Sequence, residues 1–404
     1  MCEHRQASQN RGYLPLGCLS AELEINTSNG VMNNNDKYSH HTKQPEFANN
    51  GTESGRKSVN AFSSPMAMIT FQTGPMRFKN GHSLPALPFI VIVFSILISS
   101  CNEDGLKPVS NNIEMNLKLS DYKIFQGDAA ELIPSADFHL YELATELFTD
   151  YAEKQRLIKI PAGYTMTATD DGPPDFPDGT ILVKTFFYYN DKRDPAKRKK
   201  IIETRLEIKS NAKWNVSTYL WNEQQTDAVL ITTGLNKTIN WIDQQGEGKV
   251  ISYHIPSSRE CSTCHNSSNT IIPIGPKLRN MNIEVTRNAT SINQLTHLYN
   301  AGILDAVDPA SISVLPNWQD PAYTLEERGR AYLDVNCAHC HNARGVASDA
   351  NLLFSYETSF GDTNIGGRKN AILNKMKRGQ MPRIGTSIVH DEGLELIREY
   401  INSL

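Results

Sequence analysis

Three patterns of apolar and polar positions divide the chain. Residues 89–98, Phe-Ile-Val-Ile-Val-Phe-Ser-Ile-Leu-Ile, are almost wholly apolar. With Leu84 to Leu87 the run reaches about 17 residues, marginal for spanning a bilayer. Further on, Thr180–Tyr189 and Ile201–Ile208 mix β-branched and aromatic residues in short runs. They predict two strands of a long hairpin around the basic loop Asp191 to Lys200, which Trp214–Trp221 and Ala228–Ile231 continue. Lys249–Pro256 also alternates like a strand and stops at proline. Beyond residue 320 the period becomes helical. Thr324-Leu-Glu-Glu327 is a capping box, with Leu325, Gly329, Tyr332, Leu333 and Asn336 on one face after it. Leu394, Ile397, Ile401 and Leu404 mark a closing helix over Glu392–Leu404.

The first apolar run has the flanks of a targeting signal. Arg77 and Lys79 precede it, and Ile98-Ser99-Ser100-Cys101 ends it. A charged start, an apolar centre and small residues before a cleavage point make a secretory signal peptide, with a transmembrane anchor as the competing reading. The ending resembles a bacterial lipobox, whose cysteine is lipidated. Residues 1–75 are rich in Asn, Ser and Gly with no sustained apolar period. They are expected to be an upstream extension, disordered or untranslated, with Met76 starting the protein proper. Residues 76–100 are then the lipoprotein signal, and 101–118 the acylated Cys101 with a tether. With Asn102-Glu103-Asp104 following it, the lipidated cysteine is expected to place the protein at an outer membrane, facing the periplasm or the cell surface.

Composition sharpens the picture in two ways. The chain has 404 residues, 40 basic against 44 acidic side chains, and a net charge of −4. Eight basic and six acidic side chains precede residue 101, so the remainder carries −6. Such a balance argues against a nucleic-acid partner, which needs a basic surface. Of seven cysteines, Cys2, Cys18 and Cys101 fall in the leader, leaving Cys261, Cys264, Cys337 and Cys340.

Those four are arranged as Cys261-Ser-Thr-Cys264-His265 and Cys337-Ala-His-Cys340-His341. C-x-x-C-H is the attachment pattern of c-type haem: the thiols add to the porphyrin vinyl groups and the adjacent histidine reaches the iron. A four-cysteine zinc site and a thioredoxin-like pair are the alternatives; the long separation and the following histidines weigh against the first, and the absent βαβ context against the second. The sequence therefore predicts two covalent haems with His265 and His341 as proximal ligands. An iron of raised potential takes a Met thioether opposite its histidine.

Gln380-Met381-Pro382 resembles the Met-Pro loop of class I cytochromes c, which makes Met381 the expected distal ligand at the second motif, with Met376 as local competitor. Gly329 with Leu333, and Ile397 with Tyr400, resemble that fold's crossing of first and last helices. Near the first motif, Ile274-Gly275-Pro276-Lys277-Leu278 resembles its Gly-Pro-x-Leu segment, where a backbone carbonyl orients the proximal imidazole. Pro276 and Leu278 are thus expected at the haem. Met281 is the nearest distal candidate there, ahead of His297, His254 and His339, and an open iron position is the other possibility.

Tyr141-Glu-Leu, Phe148-Thr-Asp-Tyr-Ala-Glu-Lys154, Pro177-Asp-Gly-Thr, Glu203-Thr-Arg-Leu206, Trp221-Asn222 and Asn336-Cys-Ala-His-Cys-His-Asn342 together resemble a family of bacterial dihaem c-type cytochromes. The resemblance covers about residues 119–404. It implies a β-rich domain preceding two haem sites. With the strand spacing, which argues for an antiparallel sandwich or half-barrel, the expected fold is α+β multidomain: an antiparallel β-rich domain over 119–256, then mostly α-helical cytochrome c-like haem domains, the first haem region at 257–320 and the second at 321–404. The resemblance implies redox protein partners, in some relatives a quinoprotein dehydrogenase, or a terminal oxidase chain. The expected role is one-electron transfer. A peroxidase-like dihaem enzyme and a sensing module with structural haems are the alternatives. No nucleophilic triad, phosphate loop or paired-carboxylate signature stands out.

Overall fold

A computed structural model describes residues 113–404. The signal stretch, Cys101, residues 1–75 and most of the tether lie outside the described residues. Six strands form one antiparallel sheet in sequence order: β1 (His139–Leu140), β2 (Glu153–Lys159), β3 (Ile181–Tyr189), β4 (Lys199–Ser210), β5 (Lys213–Trp221) and β6 (Ala228–Ile231). β7 (Leu235–Ile242) and β8 (Gly248–Ile255) pair as a separate hairpin. The hairpin from 181 to 210 matches the apolar runs, but Lys199 and Lys200 belong to β4 rather than to its loop.

Strand alternation gives the sheet two different faces. One buries Leu157, Val183, Phe187, Leu206, Tyr219 and Trp221 under Leu119, Ile124, Leu132 and Phe138. The other has an apolar patch at each end. Ile158, Leu182, Trp214 and Val216 form one; Phe186, Tyr188 and Ile202 form the second, against the β7–β8 hairpin. Between these patches the same face carries Lys154, Arg156, Lys184, Glu203, Arg205 and Glu207. A register shift at Phe186/Phe187 leaves Ile202 unpaired. This bulge lets Ile201 stay on the first face while Ile202 and Glu203 both turn to the second.

The chain beyond residue 256 corrects the expectation of mostly α-helical haem domains. The described region is β-rich and only 25% helix. Residues 257–320 hold three short helices, α1 (Ser258–Cys264), α2 (Leu278–Met281) and α3 (Gln294–Asn300). Two small hairpins, β9 (Asn266–Ser267) with β10 (Thr270–Ile271) and β11 (Glu284–Arg287) with β12 (Thr290–Asn293), lie between them. Each turns on two residues of positive φ, Ser268-Asn269 and Asn288-Ala289, a conformation that ends any helix and matches strand twist. Only after residue 320 do longer helices occur: α4 (Leu325–Asn336), the short α5 (Phe360–Thr363), α6 (Ile365–Lys377) and α7 (Asp391–Ser403). The connections 337–359 and 378–390 are largely irregular. Among the described residues no helix is long and apolar enough to cross a membrane.

Residue 256 does not separate two cores. Tyr141, Ile158, Leu182, Trp214 and Val216 of the sheet pack in one cluster with Cys261, Ile271, Leu278, Met281, Leu295 and Leu298. A second cluster joins α4, α6 and α7 through Leu333, Ile372, Leu396, Ile397 and Tyr400.

Candidate functional site

The second motif is delivered by α4. Glu327 N–H donates to Thr324 Oγ1 at 3.3 Å while Thr324 N–H donates to Glu327 Oε2 at 2.8 Å, so both ends of the capping box are made. At the other end the Cys337 carbonyl accepts from Cys340 N–H at 3.2 Å and from His341 N–H at 2.9 Å. These bonds wind Cys337, Cys340 and His341 into one turn. All three line a cavity of about 550 Å³, and Met381 lines it too. Leu333, Leu352, Phe354 and Ile372 supply apolar wall. Phe354 meets the His341 ring edge-on, centroids 5.3 Å apart. His341 Nδ1 is buried without a hydrogen-bond partner, and burial lowers the imidazole's proton affinity. Met376 also reaches this cavity from the last turn of α6 while packing on the helical core.

The first motif is held by the sheet. β8 runs into α1, whose capping box joins Ser257 and Glu260, and His254 Nε2 lies 3.0 Å from Glu260 Oε1. Cys261 is buried, with Thr218 Oγ1 of β5 at 3.9 Å from its Sγ. His265 Nδ1 lies 2.8 Å from the Ile272 carbonyl. A carbonyl can only accept, so Nδ1 carries the proton and Nε2 keeps its lone pair, the tautomer of a metal-ligating histidine. The acceptor is Ile272 rather than the Gly275–Leu278 segment expected to supply it. Pro276 is buried, and Leu278 packs in the apolar core with its N–H on the Gly172 carbonyl. Burial, followed by Lys184, pushes the His265 imidazole down to about 3. Burial pushes Glu207, whose Oε2 is 3.9 Å from His265 Nδ1, up to about 7 against the pull of Lys184 and Arg205.

Two adjoining cavities open here. One of about 60 Å³ is lined by Cys261, Cys264, His265 and Glu207. The other, about 490 Å³, is lined by Ile272, Lys154, Arg156 and Asp334. Leu147, Thr149, Lys184, Ile274 and His339 line both. Met281 lines neither and is 1% exposed within the apolar core. His254 is engaged by Asn236 and Glu260, and His297 lies on α3 away from the three cavities. His339 lines all three, with its Nδ1 buried and unpartnered. Of the four distal candidates, the structure brings His339 to the cavities.

The motifs meet through their inner cysteines. Cys264 lines the cavity of the second motif beside Cys340, and the two thiols act on each other, lowering Cys340 and raising Cys264. Burial pushes Cys337 up to about 12. Among the described residues no three His, Cys, Asp or Glu side chains converge as metal ligands. Cys261 lies in the sheet core and Cys337 against the helical core, which does not build the four-cysteine zinc alternative.

The donor set fits a c-type haem at the second motif. Two thiols, an imidazole and a thioether share one largely apolar cavity of about 550 Å³, within the usual range for cofactor sites. Pattern reading missed the charged belt of β2–β4 beside the first motif. Its signal was Lys184 inside an otherwise apolar strand, with Glu203 and Glu207 in the next. No protein-family model, no curated protein and no solved structure matches the chain.

Proposed function

We propose that the protein is an exported dihaem c-type cytochrome that passes single electrons between redox proteins. One observation carries the reading: Cys337, Cys340, His341 and Met381, more than forty positions apart at their extremes, line one apolar cavity. Bound there, haem would supply reversible one-electron iron chemistry. Cys337 and Cys340 would hold it through their thiols, His341 would offer a neutral imidazole and Met381 a thioether to the iron. Leu333, Leu352, Phe354 and Ile372 exclude water. At the first motif Cys261, Cys264 and His265 take the same roles, and the Ile272 carbonyl fixes the imidazole's tautomer. Ser99-Ser100-Cys101 supports acylation, and hence attachment to a membrane.

A peroxidase-like reading, with one open iron position, draws on a different observation: Met281 does not reach the first site. His339, which lines the same cavity, is the other candidate for that position.

Mass spectrometry and potentiometric EPR of the full chain, matured with a c-type assembly system, test these roles. The expected result is two covalent haems, both low-spin. Met381→Ala is expected to lower the potential of the second haem and abolish its His–Met absorption signature. Absence of covalent haem refutes the proposal. A high-spin first centre with peroxide turnover selects the enzyme instead, and an unchanged spectrum in Met381→Ala removes Met381 from the iron.

A further inference from the structure

Strand register lines up a row of side chains that leads away from Cys261. Arg156 of β2 pairs with Lys184 of β3, Lys184 with Arg205 of β4, and Arg205 with Thr218 of β5. Thr218 ends the row 3.9 Å from Cys261 Sγ. Three enclosed cations side by side require countercharge. Arg205 has it: Glu203 accepts from Nε at 3.0 Å and from Nη2 at 2.5 Å. Arg156 has it in part, through Glu146 at 2.9 Å, but its Nε is buried without a partner and the residue is 3% exposed. Lys184 forms no salt bridge among the described residues; Glu207, one row along, is its main electrostatic support.

Other unpartnered atoms gather at the same place. Thr149 Oγ1 and His339 Nδ1 are buried with no hydrogen bond, and both residues line the two adjoining cavities that Lys184 also lines. Buried polar groups are otherwise paired nearly without exception, so such a cluster marks a missing counterpart. Glu207 Oε2 and Ser217 Oγ, also unpartnered, line the smaller cavity. In the larger one Lys184, Arg156 and Thr149 are the donors, and their counterpart must accept hydrogen bonds and carry negative charge.

Distance selects among anions. Lys184 lies two strands from Thr218, about 10 Å at ordinary strand spacing. A porphyrin fixed through its vinyl edge at Cys261 and Cys264 carries its propionates on the opposite edge, at about this reach. We propose that Lys184, Arg156 and Thr149 form a buried carboxylate site that receives the propionate groups of the haem attached at the first motif. This rests on the haem reading above. The same chemistry would hold a free small carboxylate, which the test separates.

The matured full-chain protein is compared as wild type, Lys184→Met, Lys184→Arg and Thr149→Val. Mass spectrometry of the Cys261–Cys264 peptide first establishes covalent haem. Resonance Raman propionate bands and the potentials of both haems are then recorded, with and without added succinate. Removing the cation is expected to shift the propionate bands and lower the first haem's potential, because a nearby positive charge favours the reduced form. The second haem stays unmoved and serves as the folding control. Lys184→Arg restores the wild-type values, Thr149→Val shifts the same bands without altering charge, and succinate changes nothing.

Haem present with unmoved bands in both Lys184→Met and Thr149→Val overturns the carboxylate site and leaves the haem reading standing. A succinate-induced shift that Lys184→Met abolishes overturns the propionate as occupant in favour of a free carboxylate. Absence of haem on Cys261 and Cys264 overturns both.

Discussion

His390 precedes α7 and is enclosed by rings. It stacks on Phe148 with centroids 4.0 Å apart and planes 6° from parallel, and Tyr151, Trp318 and Tyr332 stand around it. The Tyr332 hydroxyl is 3.0 Å from its Nδ1. Burial, partly opposed by Glu392, pushes the imidazole down from 6.5 to about 4. The folded protein therefore resists a proton that the unfolded chain takes up. The stabilising effect of the neutral ring is complete above pH 6.5 and is lost as pH falls through about 4. Denaturant titrations should show wild type losing on the order of 2 kcal/mol across that window, and His390→Phe losing distinctly less. Equal acid loss in the variant would put the sensitivity elsewhere. Nothing in the local sequence singles out His390, because its neighbours come from positions 148, 151, 318 and 332. The C-x-x-C-H patterns stand out for the opposite reason: each lies within five consecutive positions.

Among the elements, α4 and α7 fit together by reciprocal notches. A Cβ on Gly329 of α4 would lie 2.8 Å from the Tyr400 ring of α7, and a Cβ on Gly393 of α7 would overlap the Tyr332 hydroxyl of α4. Each helix thus removes a side chain where the other inserts an aromatic. Gly329→Ala should cost about 1–3 kcal/mol by forcing the pair apart, read as a lowered denaturation midpoint. A variant as stable as wild type would show that Tyr400 can yield. Gly329, Leu333 and Ile397 were readable from helical period, Tyr400 from the resemblance to the class I helix crossing, and β3 and β5 from their β-branched and aromatic runs. The small hairpins were not. The β9–β10 and β11–β12 turns are Ser268-Asn269 and Asn288-Ala289, all with positive φ and none with glycine. Without the Asn-Gly or Asp-Gly signal, strands of two to four residues leave no trace in a pattern of period two.

For the molecule as a whole, the sheet is a foundation rather than a neighbour. The cluster holding Cys261, Ile271, Leu278 and Met281 is completed by Ile158, Leu182, Trp214 and Val216. A fragment of residues 257–404 would expose that whole cluster, so it should be degraded rapidly in limited proteolysis while the full chain resists. A resistant fragment with dispersed amide resonances would show that the haem-motif half folds alone. The same dependence explains what sequence left unread about the site. Motifs announce themselves locally, whereas the row Arg156–Lys184–Arg205–Thr218 exists only once four strands have paired in one register. The countercharges of its flanking arginines come from Glu146 and Glu203.

The contact between Cys261 and Thr218 also bears on the order of manufacture. Cys261 is 9% exposed, and its thiol is raised mainly by burial, so the finished protein presents a poor nucleophile that no bulky reagent can approach. Once α1 has settled on β5, covalent assembly at this cysteine is closed. On the proposed haem reading, a group joined to it would be joined to an open chain, and maturation would have to outrun folding.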